Sequence, residues 1–162
     1  MIAEQADIGL GLINYHFESK DNLITECVQR IIGTVVAGFH MEEEFETDKE
    51  RLIAWAVYVF NFLFENPAIS RISILGDFQN YVVNCNSVLT QRGFMLSLGN
   101  DVPDGDKSIL VFILTAAMQA AFLGNETVKQ ILGYDFTKSE DRAAYISKVI
   151  DVLFEGMVQL DE

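Results

Sequence analysis

The chain has 162 residues, of which 50% are hydrophobic and 22% charged, a composition that indicates a folded globular domain and excludes a disordered segment. Its 24 acidic residues outnumber its 11 basic ones, and a net charge of -13 repels a nucleic-acid backbone instead of attracting one. With only two prolines, long helices meet few interruptions.

The cysteines and the apolar runs predict a cytoplasmic protein with no membrane partner. Cys27 and Cys85 are far apart in sequence, lie in apolar stretches and have no CxxC spacing. We expect no signal peptide, and therefore two buried free thiols in a reducing compartment. The longest apolar runs, residues 52–64 and 109–124, are shorter than the roughly 20 apolar residues that a membrane-spanning helix needs.

Boundary residues predict two helices in the first part of the chain. Ser19 is a good N-cap residue, and apolar residues at helical spacing follow it to Phe39. The segment 47–50, Thr-Asp-Lys-Glu, has the form of a capping box and predicts a second helix that begins near residue 52 and ends at Glu65. Pro67 should stop this helix, because proline cannot continue one.

The rest of the chain predicts further helices. A short piece at 68–75 leads through Gly76 into a long helix at 77–98, which the turn-prone residues 99–105 end. A helix at 106–123 follows, and Gly124 or Asn125 stops it. After it we expect a short helix at 126–132 and a turn at 133–135. A second capping box, at Thr137 and Glu140, then predicts a last helix to about Leu160. No stretch alternates like a strand, so the prediction is all-α.

The most specific pattern precedes the first long helix. Residues 6–23 read ADIGLGLINYHFESKDNL, in which Gly9 and Gly11 permit a tight turn into a short helix that ends in aromatic residues. The pattern ends with Phe, any residue, Ser-Lys, an acidic residue and Leu, here within residues 17–23. This segment resembles the helix-turn-helix signature of TetR-type (tetracycline-repressor family) transcriptional regulators. The alternative is that Tyr15, His16 and Phe17 only pack a helix end.

The resemblance implies two regions. Residues 1–18 would be a partial helix-turn-helix DNA-binding region, and residues 19–162 a helical bundle for effector binding and dimerisation. Met1 falls where the family is already inside its second helix, so we expect the first helix to be absent from this chain. By resemblance Leu12, Asn14, Tyr15 and His16 lie on or beside the DNA-facing surface, and Gly11 permits close approach to the duplex. Tyr15, His16 and Lys20 would contact phosphates, and Asn14 is the one amide there that could read a base edge.

Charge argues against DNA binding by the chain alone. Its first thirty residues carry two basic and five acidic side chains. DNA affinity would therefore come from a segment outside this sequence, in the full-length protein, or would be lacking.

Aromatic residues concentrate in the predicted long helices that follow the first. The resemblance implies a cavity among them for a small, largely apolar effector, with Asn61, Cys85 and Gln119 as orienting polar groups. The alternative, that each residue only fills a core, stays open. The predicted effector-binding residues are Trp55, Asn61, Phe62, Phe78, Tyr81, Cys85, Phe112, Gln119 and Phe122.

Two stripes predict a homodimer. In the last helix, apolar residues recur at spacings of four and three, which is the seam that two helices use to pack side by side. In the preceding long helix, small residues permit close approach. Together they predict a two-fold, four-helix interface, although either stripe can be satisfied within one subunit. The residues are Ala116, Ala117, Ala120, Ala121, Gly124, Ile146, Ile150, Leu153, Met157 and Leu160.

The sequence carries no signature of an enzyme, a cofactor site or a metal site. It lacks a nucleophile elbow, a P-loop and a dinucleotide fingerprint, and His40 with Glu44 has no third metal ligand at a suitable spacing. The prediction is a ligand-responsive transcriptional repressor that binds operator DNA as a homodimer and is released by its effector. The alternative is a helical small-molecule-binding or protein-interaction module without DNA binding.

Overall fold

The computed structural model of the chain describes residues 11, 15, 20–38, 45–99, 102 and 104–158. These residues form seven α-helices of eight residues or more and contain no strand, which confirms the all-α prediction. The helices are α1 (Lys20–Gly38), α2 (Asp48–Glu65), α3 (Pro67–Gln79), α4 (Asn86–Ser97), α5 (Asp104–Leu123), α6 (Asn125–Leu132) and α7 (Ser139–Val158).

The chain divides into two compact units, Met1–Ala37 and Gly38–Glu162. All but the last residue of α1 belongs to the first unit, and α2 to α7 form the second. The boundary that the sequence predicts between residues 18 and 19, at the start of the first long helix, stays a prediction.

The start of α2 is the capping box that the sequence predicts. The Thr47 hydroxyl accepts a hydrogen bond from the N–H of Glu50 at 3.2 Å, and the Glu50 carboxylate accepts one from the N–H of Thr47 at 3.3 Å. Backbone N–H groups that a helix start leaves unpaired are satisfied in this way. The helix ends at Glu65, and Pro67 opens α3 at a position where its missing N–H is not needed.

The helix break predicted at Gly76 is wrong. The helix continues through Gly76, and the chain leaves helical conformation at residues 80–85, so residues 77–98 belong to two helices. Gly76 is exposed, and a Cβ added to it would meet no atom within 4 Å. Compared with alanine, a glycine at such a helical position costs only about 1 kcal/mol of stability. The break is instead held by Asp77, whose carboxylate accepts a hydrogen bond from the N–H of Ser87 at 2.6 Å.

The hydrophobic core of the second unit is centred on α2, which packs against α3, α4, α5 and α7. Phe60 is fully buried, and its ring lies 5.4 Å from that of Phe136 and 5.7 Å from that of Tyr145, measured between centroids. Burying one such side chain stabilises a fold by about 1.5–3 kcal/mol. Burial raises the pKa of Tyr145, whose hydroxyl donates to the carbonyl of Ala117 at 3.2 Å and so joins α7 to α5.

The turn before α7 is organised by Asp135. Lys129 donates to its carboxylate at 2.8 Å, and the Thr137 hydroxyl donates to it at 2.7 Å. These hydrogen bonds hold the pKa of Asp135 well below its usual range, and the bond from Lys129 has the largest effect. Thr137, predicted as a helix cap, is thus engaged in the turn, and α7 begins at Ser139. Gly133 ends α6 with a φ of 80°, a left-handed conformation that glycine adopts without strain.

Among the helices of the described residues, α5 is long and apolar enough over Gly105–Leu123 to cross a membrane, by length and composition alone. The apolar run considered in the sequence begins only at Ile109, so this helical stretch is longer than the run. Half of this stretch is buried inside the bundle, as in the core helix of a globular protein. The pair α2 and α3 passes the same test only when joined, and it is bent by 109°.

Asp48 joins the start of α2 to the end of α4. Its carboxylate accepts from the N–H of Gly99 at 2.6 Å and from the Arg51 guanidinium at 3.1 Å, and Arg51 also donates to the carbonyl of Ser97 at 3.1 Å. A Cβ on Gly99 would lie 2.8 and 2.9 Å from the two carboxylate oxygens. Position 99 therefore requires glycine because of this close approach.

We expect Gly99→Ala to lower the free energy of unfolding by roughly 1–3 kcal/mol, because the new methyl group pushes the Asp48 carboxylate away from its backbone partner. The matched control is Gly76→Ala, which adds the same methyl group to an open helical position and should raise stability by about 0.5–1 kcal/mol. Urea denaturation measures both values. Shifts of the two variants in the same direction would contradict this account of Gly99.

Candidate functional site

Buried polar side chains come together where α3, α4 and α5 are joined inside the bundle. On α3 they lie three or four residues apart and so share one helix face. All but Ser73 are at most 7% exposed, an unusual density of buried polar groups in an otherwise apolar core. This polar cluster consists of Ser70, Ser73, Asp77, Asn86, Ser87 and Gln119.

Ser87 links the three helices. Its N–H and its hydroxyl donate to one oxygen of Asp77, at 2.6 and 2.5 Å, and its hydroxyl accepts from the Gln119 amide at 2.6 Å. Cys85, the N-cap residue of α4, makes no side-chain cap bond. Asp77 therefore supplies from α3 the negative charge and the acceptor that a helix start favours.

Two buried atoms of the polar cluster have no hydrogen-bond partner among the described groups, the Ser70 hydroxyl oxygen and the Asn86 side-chain oxygen. The amide nitrogen of Asn86 donates to the Ser73 hydroxyl at 3.0 Å. An unpaired buried polar atom costs about 1–3 kcal/mol, and such atoms normally bond to water or to a ligand. These two atoms are thus available to a small polar group.

The predicted effector-binding residues occupy different environments. Three of them are at the surface: Phe78 is 55% exposed, Tyr81 45% and Phe112 53%. The Tyr81 hydroxyl accepts from the Gln91 side chain at 2.9 Å. Side chains this exposed do not line an enclosed cavity within one subunit.

Other predicted residues are part of the core. The buried Trp55 ring meets that of Phe94 edge-on, with 6.4 Å between centroids, and the buried Phe122 ring meets that of Phe64 at 5.2 Å. Cys85 is also buried, and Phe62 is half-buried. Of the predicted orienting groups, Gln119 lies in the polar cluster.

Asn61 is engaged by Arg142, a nearly buried residue of α7. The Arg142 guanidinium donates to the Asn61 side chain at 2.6 Å and to the carbonyl of Phe136 at 2.8 Å, and it lies 5.6 Å from the centroid of the Phe64 ring. Residues 61 and 142 are 81 positions apart, and no local pattern pairs them. The contacts give Asn61 a role in joining α2 to α7.

Apart from Gln119, the members of the polar cluster were not predicted, because the helix break was expected at Gly76. With a helix that continues to Gln79, the spacing of Ser70, Ser73 and Asp77 marks one polar face on an apolar helix. That spacing was the available signal. The contribution from α4 depends on the break at residues 80–85, which the sequence did not predict.

Some of the predicted DNA-facing residues are described by the structure. Gly11 and Tyr15 have helical conformation and are exposed, Tyr15 by 81%, and Lys20 is the first residue of α1. Leu12, Asn14 and His16 lie outside the described residues.

The described residues of the predicted seam on α7 face the core of their own subunit. Ile146 and Ile150 are 0% exposed, and Leu153 packs against the same core. Met157 belongs to α7, but its side chain is not among those described, and Leu160 lies outside the described residues. At Ile146 and Ile150 the seam is therefore satisfied within one subunit, the alternative that the spacing left open.

The predicted stripe on α5 is only partly at the surface. Ala116 and Ala120 are exposed and Ala117 and Gly124 half-buried, but Ala121 is 1% exposed and belongs to the core. The exposed face continues toward the start of α5 with larger side chains. This exposed α5 stripe consists of Ile109, Phe112, Ile113, Ala116 and Ala120.

The part of the chain that the structure describes contains no group of three or more His, Cys, Asp or Glu side chains placed to hold a metal ion. His40 and Glu44 lie outside it. Both cysteines are free thiols, but the expectation that both are buried is wrong for Cys27, which is exposed on α1, and right for Cys85.

No family model matches the chain, and no curated protein matches it in sequence. Among solved structures it is similar to a TetR transcriptional regulator from Rhodococcus sp. RHA1, with a TM-score of 0.64 over 94% of this chain and 81% of that chain. The two sequences are 17% identical, so the likeness concerns the fold. The chain has the TetR-type fold, as the pattern at residues 6–23 predicts.

Proposed function

We propose that this chain is the effector-binding and dimerising part of a cytoplasmic transcriptional repressor, which binds operator DNA as a homodimer and is released by a small, largely apolar effector. The observation that carries the proposal is the TetR-type fold across 94% of the chain. The ordered pattern at residues 6–23 supports it independently, because a helical bundle does not by itself require a helix-turn-helix signature.

The homodimer is supported by the exposed α5 stripe. Soluble monomers seldom expose a contiguous apolar patch of this kind, and such a patch commonly marks a protein interface. On α7, Ala144, Lys148 and Val152 are exposed and four residues apart, so they form one exposed face of this helix, which we assign to the same interface. Two copies of α5 and α7 would form a four-helix interface that buries on the order of 2,000 Å².

A single charge in the stripe tests the dimer. Ala116→Glu should convert the dimer to monomer, because two carboxylates then face each other across the two-fold axis, while the exposed position and the good helix propensity of Glu preserve the fold. Sedimentation equilibrium should give twice 18.2 kDa for the unaltered chain and 18.2 kDa for the variant.

Ile131→Glu is the control, because Ile131 is 72% exposed on α6 and outside the stripe. This variant should remain a dimer. A mass of 18.2 kDa for the unaltered chain would refute the homodimer, and dissociation of both variants would refute the assignment of the interface to α5.

In the proposed mechanism, effector binding in the bundle repositions α1 and changes the separation of the two recognition helices. Those helices would meet half-sites about one turn of DNA apart, roughly 34–36 Å, so a small change weakens binding. Effector and operator affinities are then coupled reciprocally. The polar cluster supports an effector site, because it contains buried polar atoms without protein partners.

The charge balance predicts whether this chain binds DNA. This chain should show no sequence-specific duplex binding at physiological salt, because its net charge is -13 and its first thirty residues are acidic. A gel-shift titration measures this, and specific binding at submicromolar concentration would contradict it.

In a version extended by a TetR-type first helix, Lys20→Ala should weaken binding to all DNA sequences and reduce the salt slope by about 1, whereas Asn14→Ala should alter the base preference at one position.

The second candidate function is a helical small-molecule-binding or protein-interaction module that binds no DNA. The acidic charge of the chain, including its first thirty residues, favours it. The extended version distinguishes the two functions. A stable dimer that binds no duplex of any sequence would identify the module.

A further inference from the structure

We propose that the polar cluster binds the positively charged nitrogen of an effector that carries a protonated amine. The inference rests on the proposed effector-binding function of the bundle and names the chemical class of its ligand. The polar cluster is the place in the described core where polar atoms remain unpaired.

The hydrogen-bonding capacity of the cluster points to a donor. The Asp77 carboxylate receives its bonds from the N–H and the hydroxyl of Ser87, which are neutral groups. The unpaired atom of Asn86 is its carbonyl oxygen, which only accepts, and the unpaired Ser70 hydroxyl oxygen also accepts. A carboxylate ligand would find one donor, the Ser70 hydroxyl, but two acceptors opposite its own oxygens, whereas an amine would find three acceptors.

The three accepting groups are arranged around Ser73. Ser70 and Asp77 lie one turn before and one turn after Ser73 on the same face of α3, and the Asn86 side chain is bonded to the Ser73 hydroxyl from α4. A protonated primary amine has three donors, which matches the Asp77 carboxylate, the Asn86 oxygen and the Ser70 hydroxyl in number. Its charge would offset that of a carboxylate inside the bundle.

The apolar part of such a ligand would lie among apolar side chains. The helices that carry the polar cluster also contribute buried apolar side chains to the core, among them Ile74 on α3 and Met118 on α5. An apolar wall with few fixed polar groups is the usual composition of a small-molecule site. The amine would provide orientation, and the rest of the ligand would provide buried apolar area.

Calorimetric titration of the 162-residue chain tests the proposal with matched probes. 2-Phenylethylamine is the cationic probe, 2-phenylethanol its neutral counterpart and phenylacetate an anionic one. We expect the amine to bind at least about tenfold more tightly than the alcohol, because hydrogen bonds to charged groups are the stronger ones. Phenylacetate should bind more weakly than either.

Variants locate the binding. Asp77→Asn should abolish the preference for the amine over the alcohol, whereas Asp151→Asn, which removes a carboxylate ion-paired with Lys49 near the surface, should leave the preference unchanged. Ser70→Ala removes a hydroxyl that has no protein partner, so the fold should be retained while the amine binds several-fold more weakly. Ser70→Ala decides the question if Asp77→Asn does not fold.

Equal affinities for the amine and the alcohol in the unaltered chain would overturn the proposal. So would a preference that survives both Asp77→Asn and Ser70→Ala, or a crystal structure with the amine in which only water contacts Ser70 and Asn86. Tighter binding of the alcohol would refute the amine and retain an effector site. The gel-shift and sedimentation experiments contain no effector, so their failure would be distinguishable from failure of the amine.

Discussion

The double hydrogen bond from Ser87 to Asp77 determines where α4 begins, and the arrangement of α3, α4 and α5 depends on it. Asp77 acts as a helix cap from another helix, since the local N-cap residue makes no side-chain bond. Gln119 extends the same network to α5. A buried network of this kind favours one arrangement, because any other would leave the carboxylate without donors.

The far end of α4 is held in a comparable way. Asp48, at the start of α2, binds the N–H of Gly99 just beyond the end of α4, and Arg51 binds the carbonyl of Ser97. Helix α4 is thus positioned by a carboxylate from α3 at its start and a carboxylate from α2 at its end. Between these two points, the ring of Phe94 packs edge-on against the core residue Trp55.

Features that depend on neighbouring residues were predictable from the sequence, and features that depend on distant contacts were not. The capping box at Thr47 needs only residues 47–50, and the sequence predicted it. The break at 80–85 depends on a bond between Asp77 and Ser87, which are 10 positions apart. Gln119 was predicted as a polar group of the effector site, but its bond to Ser87 spans 32 positions and was not predicted. The spacing of Ile146 and Ile150 correctly indicated an apolar face, but periodicity does not say whether that face meets its own core or a second chain.

The external support of α4 bears on how such a bundle diversifies. A helix that is anchored at both ends by other helices needs little capping or amphipathic pattern of its own, and the sequence of α4 indeed supplies no side-chain cap at its start. Substitutions along its middle could then reshape the interior without displacing the helix. Evolution could in this way change the ligand that the bundle recognises, while the residues at the two anchors (Asp77, Ser87, Asp48, Arg51 and Gly99) preserve the scaffold.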